Sequence, residues 1–274
     1  MKRLAGVSVC FLTICVYLTL GNAQAAPLLP YYAVQTFGSA VPDNPYFPMT
    51  SSLTRIYAGE KEEEGEIITE RFELTNQGMG PVILGVQTWI QRDRAFEGEL
   101  LVEDTFDYYA QDTDGNVWYF GEDVTNYIYD DDDNLIETTD ESAWRAGVND
   151  ALPGIIMLSN LAIPFNYFQE YAVDDEALDH GTIFSVGNDI SIGFGMFSDV
   201  LQILEGSVLE PDAREFKFYA PNVGLIRVDE GLDELLMNPE ITLELVQEVP
   251  IPAAALLFPF GLAGGLGWMR RRSR

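Results

Sequence analysis

The chain has 274 residues, 47% of them hydrophobic, and its 44 Asp and Glu against 15 Lys and Arg give a formal charge of −29. So large an excess of acid excludes nucleic acid as a partner and disfavours anionic lipid surfaces, both of which would repel it. Both cysteines, Cys10 and Cys15, fall in an apolar N-terminal stretch, so disulfides and thiolate-held metals are excluded downstream of it.

The first 25 residues read as a secretory signal. Lys2 and Arg3 precede an apolar core from Leu4 to Leu20, and Ala23-Gln24-Ala25 supplies the small residues of a cleavage site, with the cut expected after Ala25. All the acids lie between the two apolar ends of the chain. The body, 26–248, keeps nine basic against 44 acidic side chains, a formal charge of −35.

Residues 26–52 are rich in Pro and Tyr and read as an extended entry, with one strand at Tyr31–Phe37. Glu60–Gly65 reads as a solvated turn. A strand is expected at Glu66–Thr75, a turn at Asn76–Pro81, and a second strand at Val82–Arg92, where apolar and polar residues alternate. Glu99–Asp112 and Val117–Glu122 are aromatic strands around Thr113-Asp114-Gly115-Asn116, and Asp-Gly there is a strong hairpin signal. Thr125–Tyr129 and Asn134–Thr138 form a further hairpin, Asp140–Asp150 a short helix around Trp144, and Pro153–Met157 a return to the sheet. Strands are also expected at Phe168–Val173, at Phe197–Glu205, at Glu215–Val228 as a pair around a turn, and at Ile241–Val246. The fold class is therefore mostly β, an antiparallel meander forming a curved sheet or half-barrel or a sandwich, with an N-terminal signal helix and a C-terminal transmembrane helix.

Candidate sites are few. Asp112–Asn116 fails as a calcium loop because Ala110 and Gly121 occupy end positions that need ligands. Asp130, Asp131, Asp132 and Asp133 are the better cation candidates, since a divalent ion would relieve four adjacent carboxylates, although a charge run also makes an ordinary solvated loop. His180 is the sole histidine. It reads as a surface-loop residue, and no nucleophile elbow surrounds nearby Ser185 or Ser191. Trp89, Trp118 and Trp144 read as core, with a sugar or lipid groove as the alternative. The acids are too numerous for any catalytic pair to be singled out, and no cofactor site is expected.

The C-terminal end, 249–274, is tripartite. Val249-Pro250-Ile251-Pro252 opens an uncharged run to Met269, long enough to cross a ~30 Å hydrocarbon core. Arg270, Arg271, Arg272 and Arg274 close it as a cytoplasmic stop. The prolines and glycines of the run weaken it as a plain anchor. This pattern resembles the PEP-CTERM sorting signal of exosortase substrates, with Ile251 in place of the glutamate of the name-giving motif. The resemblance implies a Gram-negative bacterium, an exosortase-type processing enzyme, transient or permanent membrane insertion, a final place at the cell surface, and a link to exopolysaccharide. Tyr109–Asp112, Gly115–Glu122, Trp144–Val148, Pro153–Met157 and Tyr219–Leu225 resemble an uncharacterised family of exported bacterial proteins, which implies no activity. Gly195, Phe197 and Tyr219–Leu225 also look like envelope proteins with a curved antiparallel sheet, such as lipoprotein-carrier half-barrels. The expectation is a non-enzymatic surface or matrix protein. The alternatives are a half-barrel-like module for an apolar or carbohydrate ligand, and a carboxylate-dependent glycosidase.

Overall fold

The computed structural model describes residues 26–32, 35–50, 52–63, 65–162 and 165–251. The expected signal helix, its Ala23 and Ala25, the tail helix and its arginines lie outside them. Among the described residues no helix is long and apolar enough to cross a membrane.

Fifteen strands follow one another: β1 (Leu53–Glu63), β2 (Glu66–Ile83), β3 (Val86–Glu97), β4 (Leu100–Gln111), β5 (Val117–Tyr129), β6 (Leu135–Thr139), β7 (Trp144–Arg145), β8 (Leu152–Met157), β9 (Asn166–Phe168), β10 (Glu170–Tyr171), β11 (Asp179–Ile192), β12 (Gly195–Ser207), β13 (Arg214–Ala220), β14 (Gly224–Glu230) and β15 (Ile241–Pro250). Hydrogen-bonded neighbours run β8-β5-β4-β3-β2-β1-β15-β14-β13-β12-β11. The segment Asn166–Tyr171 joins the two ends of that path. Its first half, β9, pairs with β11, and its second half, β10, pairs with β8, with Gln169 between them. The antiparallel meander is as expected, and its curved sheet goes beyond a half-barrel to a nearly closed barrel with a narrow seam, rather than a sandwich. At the seam the chains touch closely: a Cβ on Gly154 would lie 2.2 Å from the Gln169 carbonyl oxygen.

Several expected elements differ. The strong turn at Asn76–Pro81 is absorbed into β2, which accommodates Gly78 and Pro81 by register shifts at Asn76/Gly78 and Met79/Val82. The reversal comes instead at Leu84-Gly85, both at positive φ, as a two-residue hairpin demands. The helix around Trp144 is a two-strand pairing, Gly121 with Arg145 and Glu122 with Trp144, flanked by turns at Asn149 and Asp150, whose positive φ is incompatible with a helix. Among the described residues of the expected strand Tyr31–Phe37, one bridge forms, Phe37 to Asp112. Most of the acidic Glu60–Gly65 stretch is the end of β1, and β11 was not foreseen at all.

The barrel has two unlike ends. At one end the entry segment crosses the opening. The Asn222 N–H donates to the Pro45 carbonyl at 2.6 Å, the Phe47 ring sits 5.0 Å from that of Tyr109, and Arg55 pairs with Glu248 at 3.1 Å. This end is plugged. Ser52 and Ile251 meet there through a 2.9 Å backbone hydrogen bond, so the described chain enters and leaves the barrel at the plugged end. The opposite end, where β1 turns into β2 and β12 into β13, is open. Outside, Tyr32 and Phe37 pack edge-on against Trp118 and Phe120 of β5. The β11–β12 hairpin, bent by three register shifts, reaches across the outer wall, where Phe184 packs on Phe216 and the Gly193 N–H approaches Glu244.

Candidate functional site: an acidic barrel lumen

Inside the barrel, alternation along each strand sends every second side chain inward. Gln91, Asp93 and Ala95 of β3 do so, as do Glu215, Lys217 and Tyr219 of β13. Two connected spaces result. The inner one, toward the plug, has a volume of about 330 Å³ and is walled by Phe47, Tyr57, Phe72, Leu74, Val223 and Leu225 together with carboxylates. The outer one is a vestibule of about 1200 Å³, bounded by Glu103, Glu122, Glu141, Glu210, Asp212 and Glu240 among others. Glu170, Asp179, Glu205, Glu215, Lys217 and Glu230 line both. Fifteen of the lining side chains are Asp or Glu, and three are Lys or Arg.

Two hydrogen-bonded groups organise this wall. In the first, the Tyr119 hydroxyl lies 2.5 Å from Asp107 Oδ1 and 2.8 Å from Glu122 Oε2. A hydroxyl carries one proton, so it can donate to only one of the two; the other contact requires a proton on a carboxyl. Asp107 is 8% exposed. Burial pushes its carboxyl up to about 7, against the opposing hydrogen bond from Tyr119. Burial, with Glu170 and Asp107 nearby, holds Glu122 well above the usual carboxylate range. In the second group, Glu205 accepts from Gln169 Nε2 at 2.8 Å and from Lys217 Nζ at 2.7 Å, and Lys217 also reaches Glu215 at 3.0 Å. Burial raises the Glu205 carboxyl while Lys217 draws it back down. Lys217 is held strongly protonated by Glu205 and Glu215, which outweigh the effect of burial. Gln169 is the seam residue between β9 and β10, so one residue serves the closure of the barrel through its backbone, whose N–H donates to the Asp179 carbonyl, and the anchoring of Glu205 through its side chain.

Other carboxyls stand outside these two groups. Asp93 Oδ1 is buried without a hydrogen-bond partner, and burial raises its carboxyl well above the usual range, Asp107 and Glu103 adding to the effect. Glu230 is pushed up to about 7, again chiefly by burial.

None of these residues was singled out by sequence. The residues that were lie outside the lumen's lining, although Trp144 packs edge-on against Tyr119 at 5.4 Å. Asp130–Asp133 form the exposed β5–β6 turn, where the Asp130 carboxylate accepts from the backbone N–H groups of Asp132 and Asn134 and from the Asn134 side chain. Those hydrogen bonds hold its carboxyl below the usual range. Among the described residues no group of three or more His, Cys, Asp or Glu is placed to hold a metal ion. Asp112 is a buried hairpin residue, accepting from Asp114 N, Asn116 N and Trp118 Nε1. His180 lies in strand β11 rather than a loop, half-buried, and Ser185 bonds Gln202 instead. Trp118 and Trp144 are core, at 1% and 3% exposure. Of the sorting motif, Val249 and Pro250 belong to β15, opposite Thr54 and Leu53, Ile251 ends the described chain, and Pro252 lies outside it. The motif therefore begins within the barrel wall.

No family model matches the chain, and no curated protein matches it. Three solved structures overlap it loosely. A candidate exported protein with a YmcC-like fold from Bacteroides fragilis is 11% identical, at TM-score 0.36 over 74% of this chain and 98% of that one. A candidate lipoprotein from Parabacteroides distasonis is 12% identical, at TM-score 0.37 over 75% and 99%. A β-barrel-like protein of the domain of unknown function DUF1849 from Brucella abortus is 11% identical, at TM-score 0.39 over 72% and 96%. Likenesses this loose say nothing about the lumen, whose chemistry follows from its own residues.

Proposed function

We propose that the chain is an exported, non-enzymatic binding module that holds a small ligand inside its barrel. The observation that carries this reading is the lumen itself. It is plugged at one end, open at the other, and its inner volume of about 330 Å³ falls in the range of small-molecule sites. Its polar groups are spread around the wall and bonded to one another, an arrangement that suits holding better than chemistry at one point. Export rests on the leader with Ala23 and Ala25, and the tail with Val249-Pro250-Ile251-Pro252 and its terminal arginines supports delivery by an exosortase-type enzyme to the cell surface or an exopolysaccharide matrix. If that tail enters the membrane, the open mouth points away from it, because the chain leaves the barrel at the plugged end.

A ligand bound only by the folded state raises its melting temperature. Protein purified from its own host should melt at a higher temperature than the same protein unfolded, dialysed and refolded. Identical melting before and after such stripping counts against the reading. Hydrolysis of any member of a polysaccharide panel, lost on replacing Asp107 or Glu122, would favour the glycosidase alternative. Intact-mass analysis of surface-released chain tests the address: a chain still ending at Arg274 would contradict processing at the motif.

A further inference from the structure

Building on the binding-module reading, we propose that the ligand is an organic cation with an apolar body, such as an alkylammonium. The first reason is charge. With fifteen acids against three bases around the two spaces, an anionic head finds few partners, whereas a cation is drawn in at the rim and favours the charged form of the carboxyls that burial holds neutral deeper in. Asp93 Oδ1, buried in the inner wall without a partner, is the kind of group that a cationic head would satisfy.

Shape is the second reason. The acids do not converge; among the described residues no three of them could hold a metal ion. They run instead from the inner wall to the rim, while the apolar surface gathers toward the plug around Phe47, Val223 and Leu225. An elongated molecule with its apolar end at the plug and its charge between Asp93 and the mouthward carboxyls Asp179 and Glu230 matches that gradient. The third reason weighs against a sugar. Four of the aromatic rings of the inner space stack on one another: Tyr57 on Phe72 at 4.3 Å, and Tyr109 on Tyr119 at 4.8 Å. They line the space as apolar walls rather than as free platforms for a sugar ring.

Isothermal titration of the full chain, stripped of endogenous ligand, tests this with three probes that share a ten-carbon tail: decyltrimethylammonium, decyl maltoside and decanoate, each below its micellar concentration. The cation should bind one per chain, at least about tenfold tighter than the maltoside, and decanoate should not bind. Asp179→Asn and Glu230→Gln should each weaken the cation about threefold. Asp189→Asn, on the exposed β11–β12 hairpin, should leave it unchanged. Equal or tighter binding of the maltoside or decanoate overturns the cationic assignment and leaves the binding module standing. If no probe binds yet stripping still lowers the melting temperature, the assignment again falls alone. If no probe binds and stripping has no effect, both fall.

Discussion

Replacing Asp107 by Asn should make the protein more resistant to urea at pH 8, with a gain at pH 5 of only about a third of that. Asp107 is buried beside Glu122 on the single hydroxyl of Tyr119, and its carboxyl is pushed up to about 7. In the unfolded chain it returns to about 3.9. Between those values the folded state holds a proton that the unfolded state has released, so folding is favoured at low pH, and that advantage is lost as pH rises toward 7. A span of about three units corresponds to at most roughly 4 kcal/mol, and water in the lumen should reduce it to about 2 kcal/mol. Asparagine keeps the acceptor for Tyr119 without the charge. Urea titrations of wild type and Asp107→Asn at pH 5, 6, 7 and 8 should therefore diverge progressively, with the variant ahead at pH 8. The general effect of the acidic surface is common to both proteins and cancels in the difference. A variant weakened by the same amount at every pH would refute the shared-proton reasoning.

Two further substitutions probe the frame around the lumen. Gly154→Ala should cost about 3 kcal/mol in urea unfolding, because the added carbon meets the Gln169 carbonyl at the seam; a neutral result would mean that the barrel does not close there. Asp112→Ala should cost roughly 3 kcal/mol, since it strips hydrogen bonds from two backbone N–H groups and the buried Trp118 indole. Asp130→Ala, which removes a similar set of turn bonds in the open, should cost far less; equal losses would show that burial does not decide the difference.

What could be read from the sequence was the part governed by local rules. The Asp-Gly turn placed β4 almost to the residue and the start of β5, although β5 runs on unbroken through Thr125–Tyr129, which were expected to be a separate strand, and the pattern in β13 to β15 located those strands. The strong turn residues at Asn76–Pro81 misled, because a long strand can absorb glycine and proline as bulges when its neighbours hold the register. β11 was invisible because Gly181, Ser185, Gly187 and Asn188 lower its β propensity, while its pairing with β12 and β9 is a tertiary matter. The lumen was hidden for a deeper reason. In Glu215-Phe216-Lys217-Phe218-Tyr219 the ordinary reading sends phenylalanine to the core and charge to water. Here the charged residues line the space inside the barrel, while Phe216 and Phe218 are buried in a cluster with Ile190, Ile192 and Phe197. Only closure of the sheet, which depends on a six-residue segment around Gln169, shows which face is which.

The central claim is that the lumen is a ligand site, and native mass spectrometry of the chain purified from its own host tests it most directly, with Ala95→Trp as the companion variant. Ala95 lines the inner space, and an indole there would fill much of it. The wild type should carry an added non-protein mass that denaturation releases, and the folded variant should lack it. Bare wild-type protein in repeated preparations, or the same added mass on both, would contradict the account.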